Sequence, residues 1–399
     1  MQQPSQIPIA SQAASRRFAT WLALVYASGF GLLGTHAPFF PVWLRAIGID
    51  PAWIGIIVAV PSVTRFTTLP FVTGFAERHH AIRGGIIAAS MATTIGLAVV
   101  GLQQQALLVF LAYAVTSCVW TPMVPLIDAY ALRGVRQYGL KYGPLRLWGS
   151  AAFIVGALAC GLLIDVIAPS NLIWIIASVA ALGALVSLGL KPLAPLKSSA
   201  TNLAGAGALL RDKGFLAIIV TSALIQSSHS AYYVVASIAW QQEGYSGLTI
   251  AGLWTLGVLA EIVLFAVSPR FTLPPAMLVI IAACCAVVRW VITAQAPPIA
   301  ILAPVQMLHA ITFGLTQVGI MNLMVQQVPA HIAARGQGFL AACSGIVTGS
   351  VYILTGAVFA RYGQNVYYVM AAIAACGGLV MWSVRHRLMR QPQSAASGG

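Results

Sequence analysis

The chain has 399 residues, 59% of them hydrophobic and only 7% charged, and its mean hydropathy is +0.89. Soluble domains carry roughly a quarter of charged residues, so this composition excludes a soluble enzyme or binding module and predicts a protein that crosses the membrane many times. The formal net charge of +14 does not indicate a nucleic-acid partner, because the basic residues sit in short links between apolar runs and form no face of a soluble domain.

Windows of about 20 apolar residues predict twelve helices, with limits 18–44, 52–75, 82–102, 106–131, 145–166, 171–190, 214–240, 248–268, 276–295, 299–327, 337–360 and 365–385. The first follows a polar start that ends in Arg16 and Arg17 and has no small-residue cleavage site, so it is expected to be retained as a span. It also holds Pro38 and Pro41, which predict a kink or an early end there.

The links test the helix count, because Lys and Arg concentrate on the cytoplasmic side. With the N-terminus inside, 16 of the 21 basic residues fall in inside links, two (Arg45 and Arg361) fall outside, and three (Arg65, Arg146 and Arg289) fall in or at the ends of spans. A slipped register would scramble that bias, so both termini are placed in the cytoplasm. The six cysteines (Cys118, Cys160, Cys284, Cys285, Cys343 and Cys376) lie in apolar segments without metal-ligand or CxxC spacing and are read as packing residues. No metal or organic cofactor is expected.

The longest polar link, 191–213, divides the spans into six (1–190) and six (214–399). A weak repeat supports the division. His36 precedes Phe39 and Phe40 by three and four residues, as His229 precedes Tyr232 and Tyr233, and Gly48 and Gly55 before the second span are echoed by Gly244 and Gly252 before the eighth. Counted from those second glycines, Arg65 and Glu261 are counterparts. The predicted architecture is therefore all-α, twelve transmembrane helices in two six-helix bundles, as expected of a secondary transporter that binds its substrate between the halves near the midplane.

The run Tyr142-Gly-Pro-Leu-Arg146-Leu-Trp148-Gly-Ser150 opens the fifth span, and Leu224-Ile-Gln226-Ser-Ser-His229-Ser-Ala-Tyr232-Tyr233 lies in the seventh. Gly252-Leu-Trp254-Thr-Leu-Gly257-Val-Leu-Ala-Glu261 lies in the eighth and Val288-Arg289-Trp290 in the ninth. Together these runs resemble the phenylpropionate permease family of the major facilitator superfamily, close to the sugar and nucleoside proton symporters. The resemblance implies a multi-pass transporter of the bacterial inner membrane, monomeric by default, whose partners are a small molecule and the lipid bilayer. More distantly the chain resembles the lactose permease, whose coupling residues are an acid, an arginine and a histidine on the helices that here carry Glu261, Arg289 and His309. The second carboxylate that the lactose permease places one turn after its histidine is replaced here by Thr312.

A charge at the bilayer centre costs roughly 2.5–3.5 kcal/mol on insertion scales, so each intramembrane charge needs a reason. Glu261 is the leading proton site: burial raises a carboxyl's proton affinity and a nearby cation lowers it, so a carboxyl whose surroundings change as the halves rock can load on one side and release on the other. A static ion pair is the bland alternative. Arg289 either anchors a substrate carboxylate or is the partner of Glu261, and His309 joins the same network or simply bonds a neighbouring helix. At 1.5 Å per residue, Glu261 and Arg289 lie at different depths, roughly 10 and 20 Å from the cytoplasmic ends of their helices. His36, Phe39, Phe40, Gln226, His229, Tyr232, Tyr233 and Trp254 are candidate substrate contacts, suited to a flat aromatic ligand. Arg65, Asp128 and Arg146 are candidates for a cytoplasmic gate or for a substrate-binding charge pair. The expected function is proton-coupled uptake of a small aromatic acid by alternating access. The alternatives are a sugar or nucleoside symporter or an exporter of hydrophobic compounds. No nucleophile, metal-ligand or nucleotide-site spacing suggests an enzyme, and the longest link is too short for a receptor's output domain.

Overall fold

A computed structural model describes residues 12–79, 81–193, 209–329 and 332–390. The described residues are almost wholly helical. Most of the predicted central link, residues 194–208, lies outside them. Among the described residues, eleven helical stretches are long and apolar enough to cross a membrane, and the last of these, Arg335–Leu388, is 54 residues long and contains two helices.

The helices are α1 (Gln12–Ala46), α2 (Pro51–Arg78), α3 (Ile82–Gly101), α4 (Ala106–Trp120), α5 (Met123–Tyr138), α6 (Tyr142–Ile164) and α7 (Leu172–Ser187). After the link come α8 (Lys213–Ser227), α9 (Ser230–Gln242), α10 (Gly247–Val267), α11 (Pro275–Thr293), α12 (Ile299–Met307), α13 (Thr316–Gln327), α14 (Ala333–Tyr362) and α15 (Val366–Arg390). Most predicted limits agree within a few residues, with informative exceptions. The expected early end at Pro38 and Pro41 does not occur: α1 runs through both to Ala46, and Pro38, Phe39, Phe40 and Pro41 are all buried, so tertiary packing holds the helix past the missing N–H groups. The predicted spans 106–131, 214–240 and 299–327 are each interrupted, at Thr121–Pro122, at Ser228–His229 and around His309.

The ends of α1 and α9 repeat one another in backbone detail. Gly48 (φ +88°) and Gly244 (φ +87°) both adopt the left-handed conformation. Gly48 N–H donates to Arg45 and Ile49 N–H to Leu44, as Gly244 donates to Gln241 and Tyr245 to Trp240. Left-handed glycines at this position close Schellman-type caps, which explains why the two glycines stood out in the sequence. A capping side chain follows each: Asp50 Oδ1 accepts from Ala52 N–H at 2.9 Å, and Ser246 Oγ accepts from Thr249 N–H at 3.2 Å.

α1 packs along α6 and α7, and α3 along α4 and α7. In the second part of the chain α11 packs along α13 and α15, and α8 along α14 and α15. The two parts meet where α2 lies along α14, α6 along α10 and α1 along α9. Two of these contacts are backbone-close. A Cβ on Gly356 would collide with the Pro51 carbonyl, and one on Gly161 would lie 2.6 Å from the Gly247 carbonyl oxygen, so glycine lets α14 approach α2, and α6 approach α10, this closely. Asp165, at the end of α6, then caps α10 in trans: its Oδ1 accepts from Gly247 N–H at 2.8 Å and its Oδ2 from Leu248 N–H at 3.4 Å. A carboxylate at a helix N-terminus is favoured both by the free N–H groups and by the helix dipole. Asp165 thus ties α6 to α10 at this end of the molecule.

Candidate functional site

The interruption between α8 and α9 has a local cause. Ser227, Ser228 and Ser230 hydroxyls donate to the carbonyls of Leu224, Ile225 and Ser227, so side chains compete with the helix ladder where His229 sits. The His229 ring is wholly buried. Its Nδ1 lies 3.1 Å from the Ile225 carbonyl and its Nε2 lies 2.9 Å from Thr312 Oγ1. Because a carbonyl only accepts, Nδ1 carries the proton, and in the neutral ring Nε2 accepts from the Thr312 hydroxyl.

The second interruption is a π-turn, Ala310–Leu315, between α12 and α13. π-turns widen the helix by one residue per turn and recur at functional sites. Here the π-turn follows His309 and contains Thr312, and both side chains point at Arg289 of α11. The Arg289 side chain is fully buried. NH1 lies 3.2 Å from His309 Nδ1 and 3.1 Å from Thr312 Oγ1, and NH2 donates to Gln306 Oε1 at 3.0 Å. The guanidinium carbon also sits 4.4 Å from the Trp290 ring centroid and 5.0 Å from that of Tyr232, within cation–π range. Nε has no hydrogen-bond partner.

Glu261 and Arg289 do not touch. His309 lies between them: its Nε2 is 3.6 Å from Glu261 Oε2. The depth difference read from the sequence is spanned by an imidazole. Guanidinium groups only donate, so His309 accepts at Nδ1 and turns an Nε2–H toward the carboxylate. Glu261 keeps 21% of its side chain exposed, whereas His309 keeps 7%. The carboxyl is therefore the more exposed end of a chain whose other end is fully buried.

Tyr232 joins this group. Its ring centroid lies 4.3 Å from Trp254 and 5.6 Å from His309, and Trp254 Nε1–H is tied to Ser237 Oγ at 3.0 Å. Tyr233 lies edge-on to Tyr232, with centroids 5.4 Å apart. Gln226 Oε1 is buried without a hydrogen-bond partner. Among the candidates of the second half, then, Glu261, Arg289, His309, His229, Tyr232, Tyr233 and Trp254 form one connected cluster. Gln306, Thr312 and Trp290 belong to it as well. Trp290 stood in the run Val288-Arg289-Trp290, Gln306 lies three residues before His309, and Thr312 was noted only as a missing carboxylate; a buried arginine with five donors was the signal that neighbouring acceptors would be recruited.

His36 and Phe40 belong to a separate aromatic group on α1 and α4. The His36 ring stacks on Phe40 at 4.4 Å and meets Trp120 edge-on at 4.5 Å, and its Nε2 lies 3.1 Å from the Tyr113 hydroxyl. Phe39 is fully buried.

Asp128 and Arg146 do not form an ion pair. Asp128 Oδ1 accepts from the hydroxyls of Tyr26 at 2.6 Å and Tyr142 at 2.9 Å. The Arg146 guanidinium instead lies 3.8 Å over the Phe30 ring and 5.6 Å from that of Tyr26. Arg65 is exposed on α2. Tyr26, Phe30 and Tyr142 were not singled out from the sequence; only Tyr142 stood in a quoted run. Among the described residues no group of three or more His, Cys, Asp or Glu could hold a metal ion.

The chain is similar to the "Probable 3-phenylpropionic acid transporter" of Escherichia coli (strain K12), with 29% identity over 364 residues, 89% of this chain and 94% of that protein. It is 31% identical over 157 residues to the maltose permease of Geobacillus stearothermophilus, 39% of either chain. Its fold matches the crystal structure of the nucleoside transporter NupG with a TM-score of 0.76 at 17% identity, covering 94% of this chain and all of that one. The described helices, the buried charges and these likenesses fit a membrane transporter, not an enzyme. The sequence model described as "MFS_1 like family" matches residues 19–376, and the chain belongs to that family of the major facilitator superfamily.

Proposed function

We propose that this protein is a proton-coupled importer of small aromatic carboxylates that works by alternating access. The observation that carries the reading is the buried chain Glu261, His309, Arg289, in which a partly exposed carboxyl is joined through one imidazole to a fully buried guanidinium. A carboxyl so placed responds to any movement of the helices that carry its neighbours, and that response is what coupling needs. The aromatic rings of Tyr232, Tyr233 and Trp254 beside it suit a flat ligand. The likeness to a phenylpropionic acid transporter over nearly the full length of both chains supports the substrate class.

In this reading the stretch Arg335–Leu388 crosses twice, giving twelve spans in two bundles, 1–190 and 214–399, joined by a cytoplasmic link at 191–213. Both termini face the cytoplasm of a bacterial cell and the protein sits in the inner membrane as a monomer. The end held by Asp165 is then the outer one, closed in this structure. Within the site, Glu261 is the proton carrier and His309 and Arg289 its relay. The tyrosine and tryptophan rings, with Gln226 and His229, shape the ligand pocket from the second half. In the first half, His36, Phe39 and Phe40 are the candidate ligand contacts, and Arg65, Asp128 and Arg146 carry that half's charges.

The test is uptake of radiolabelled 3-phenylpropionate into proteoliposomes, with and without an imposed pH gradient. Gradient-dependent accumulation is expected. Its absence, together with uptake of uridine or maltose, would overturn the acid in favour of a nucleoside or sugar.

A further inference from the structure

Away from the substrate site, cations gather where α8 begins and α15 ends. The two helices run antiparallel in close contact: a Cβ on Gly214 would lie 3.2 Å from Leu388 Cδ2, and one on Gly377 would lie 2.8 Å from Ile225 Cγ1. That register brings Arg387 to the first turn of α8, where its NH2 lies 3.5 Å from Asp212 Oδ2. Asp212 is also the N-cap of α8, its Oδ1 accepting from Phe215 N–H at 2.8 Å. Arg211 and Lys213 flank it in sequence, and all four side chains are exposed.

The chain has little with which to neutralise these cations. Asp212 is the only acidic residue from Val166 to Gln242, and none follows Glu261, whereas Arg385, Arg387 and Arg390 fall within six residues at the end of α15. The pair of Arg387 with Asp212 is a surface one, its side chains 50% and 46% exposed, and it engages one of five guanidinium donors.

Next to the cations the same two helices present an open apolar band. Leu379 and Trp382 on α15 are 67% and 47% exposed and Val220 on α8 is 38% exposed, and the antiparallel register puts Val220 level with Trp382. The Arg385 guanidinium lies 3.4 Å over the Trp382 ring and donates to the Trp382 carbonyl at 2.6 Å. An exposed tryptophan with apolar neighbours on one side and cations on the other matches the boundary between hydrocarbon and headgroups. Five residues on, Arg387 stands about 7.5 Å further along the helix, at headgroup depth. Guanidinium and ammonium groups above an apolar band complement a lipid with an anionic phosphodiester head. An acidic protein would match the cations and leave the band uncovered.

We propose that Arg211, Lys213 and Arg387 bind the headgroup of an anionic phospholipid whose acyl chains lie along Val220, Leu379 and Trp382. The lipid fastens the start of α8, where the link 191–213 enters the second half of the chain, to the end of α15.

The experiment uses the full chain in a neutral detergent. Added phosphatidylglycerol is expected to raise the thermal unfolding midpoint by about 3 °C or more, and phosphatidylcholine by less than about 1 °C; native mass spectrometry should show phosphatidylglycerol retained. K213Q/R387Q is expected to lose both effects. R133Q/R136Q, which removes the same charge from α5, should keep them, and equal loss in the two double variants would reduce the effect to net charge and overturn the site. Stabilisation by inorganic phosphate equal to that by phosphatidylglycerol would replace the lipid with a free anion, and equal stabilisation by poly-L-glutamate would replace it with an acidic protein. Should K213Q/R387Q fail to fold, D212N carries the test: asparagine still accepts from Phe215 N–H while the negative charge is gone, so the gain with phosphatidylglycerol should grow, and an unchanged or smaller gain would overturn the proposal.

Discussion

Arg289 donates to Nδ1 of His309 over 3.2 Å, and that one bond assigns the imidazole's tautomer, since arginine has no acceptor to offer. The proton of His309 therefore sits on Nε2, facing Glu261. An asparagine at this position places an amide oxygen where Nδ1 lies and keeps the bond to Arg289, but nothing reaches Glu261. H309N is expected to bind 3-phenylpropionate within about threefold of the unaltered protein, as a neutral acceptor is retained, yet to lose proton-driven accumulation by tenfold or more. Paired binding and uptake measurements check it.

Neutralising Glu261 separates exchange from accumulation. E261Q mimics the protonated carboxyl permanently, so counterflow of labelled against unlabelled 3-phenylpropionate should persist while accumulation against a gradient disappears. The pH dependence follows with a definite sign. Because the proton on Glu261 binds together with the ligand in this reading, affinity is expected to fall as pH rises in the unaltered protein and to be flat in E261Q. A steep dependence surviving in the variant would assign the proton to another group.

Thr312 accepts from Arg289 and donates to His229. Replacing it with valine keeps the volume and leaves His229 Nε2 without a donor and Arg289 one acceptor short, all in a fully buried setting. A loss of about 1–3 kcal/mol of stability is expected, read as a lower thermal unfolding midpoint in detergent. T312S should recover most of it.

Asp165 fastens α6 to α10 through two backbone amides. D165A should let that end open more often. Ala251, buried where α10 meets Gly161, offers a reporter. Modification of A251C by a membrane-impermeant maleimide is expected to accelerate severalfold in the D165A background, and D165N, which keeps one acceptor oxygen, should fall between. Equal rates in all three would mean that glycine packing alone holds the closure.

The helices were legible because hydropathy and helix length are set by the bilayer and need no knowledge of neighbours: the third span, expected at 82–102, runs Ile82–Gly101. The interruptions were not, since hydropathy averages over them. The serines around His229 weaken the ladder by side-chain bonds that only appear once the helix exists, and Pro38 and Pro41 fail to end α1 because burial overrides local preference. At the site the charged residues announced themselves by their cost. Their pairing could not be read from depth along straight helices, because the partner of Glu261 turned out to be His309, on a third element. Tyr26 and Phe30 escaped notice for the opposite reason. An aromatic residue in a span is ordinary until a guanidinium such as that of Arg146 is found resting on it.

The wide turn at Ala310–Leu315 amounts to one surplus residue in an otherwise regular rod. Remove it, for instance by deleting Ile311, and the ladder heals into ordinary α-helix, but everything on one side of the cut swings by roughly 100° against the other. His309 and Thr312 could then no longer present themselves to the same arginine. A chain shortened by this single residue should insert and fold with all its crossings, and yet be unable to gather the histidine, the threonine and the guanidinium into one place.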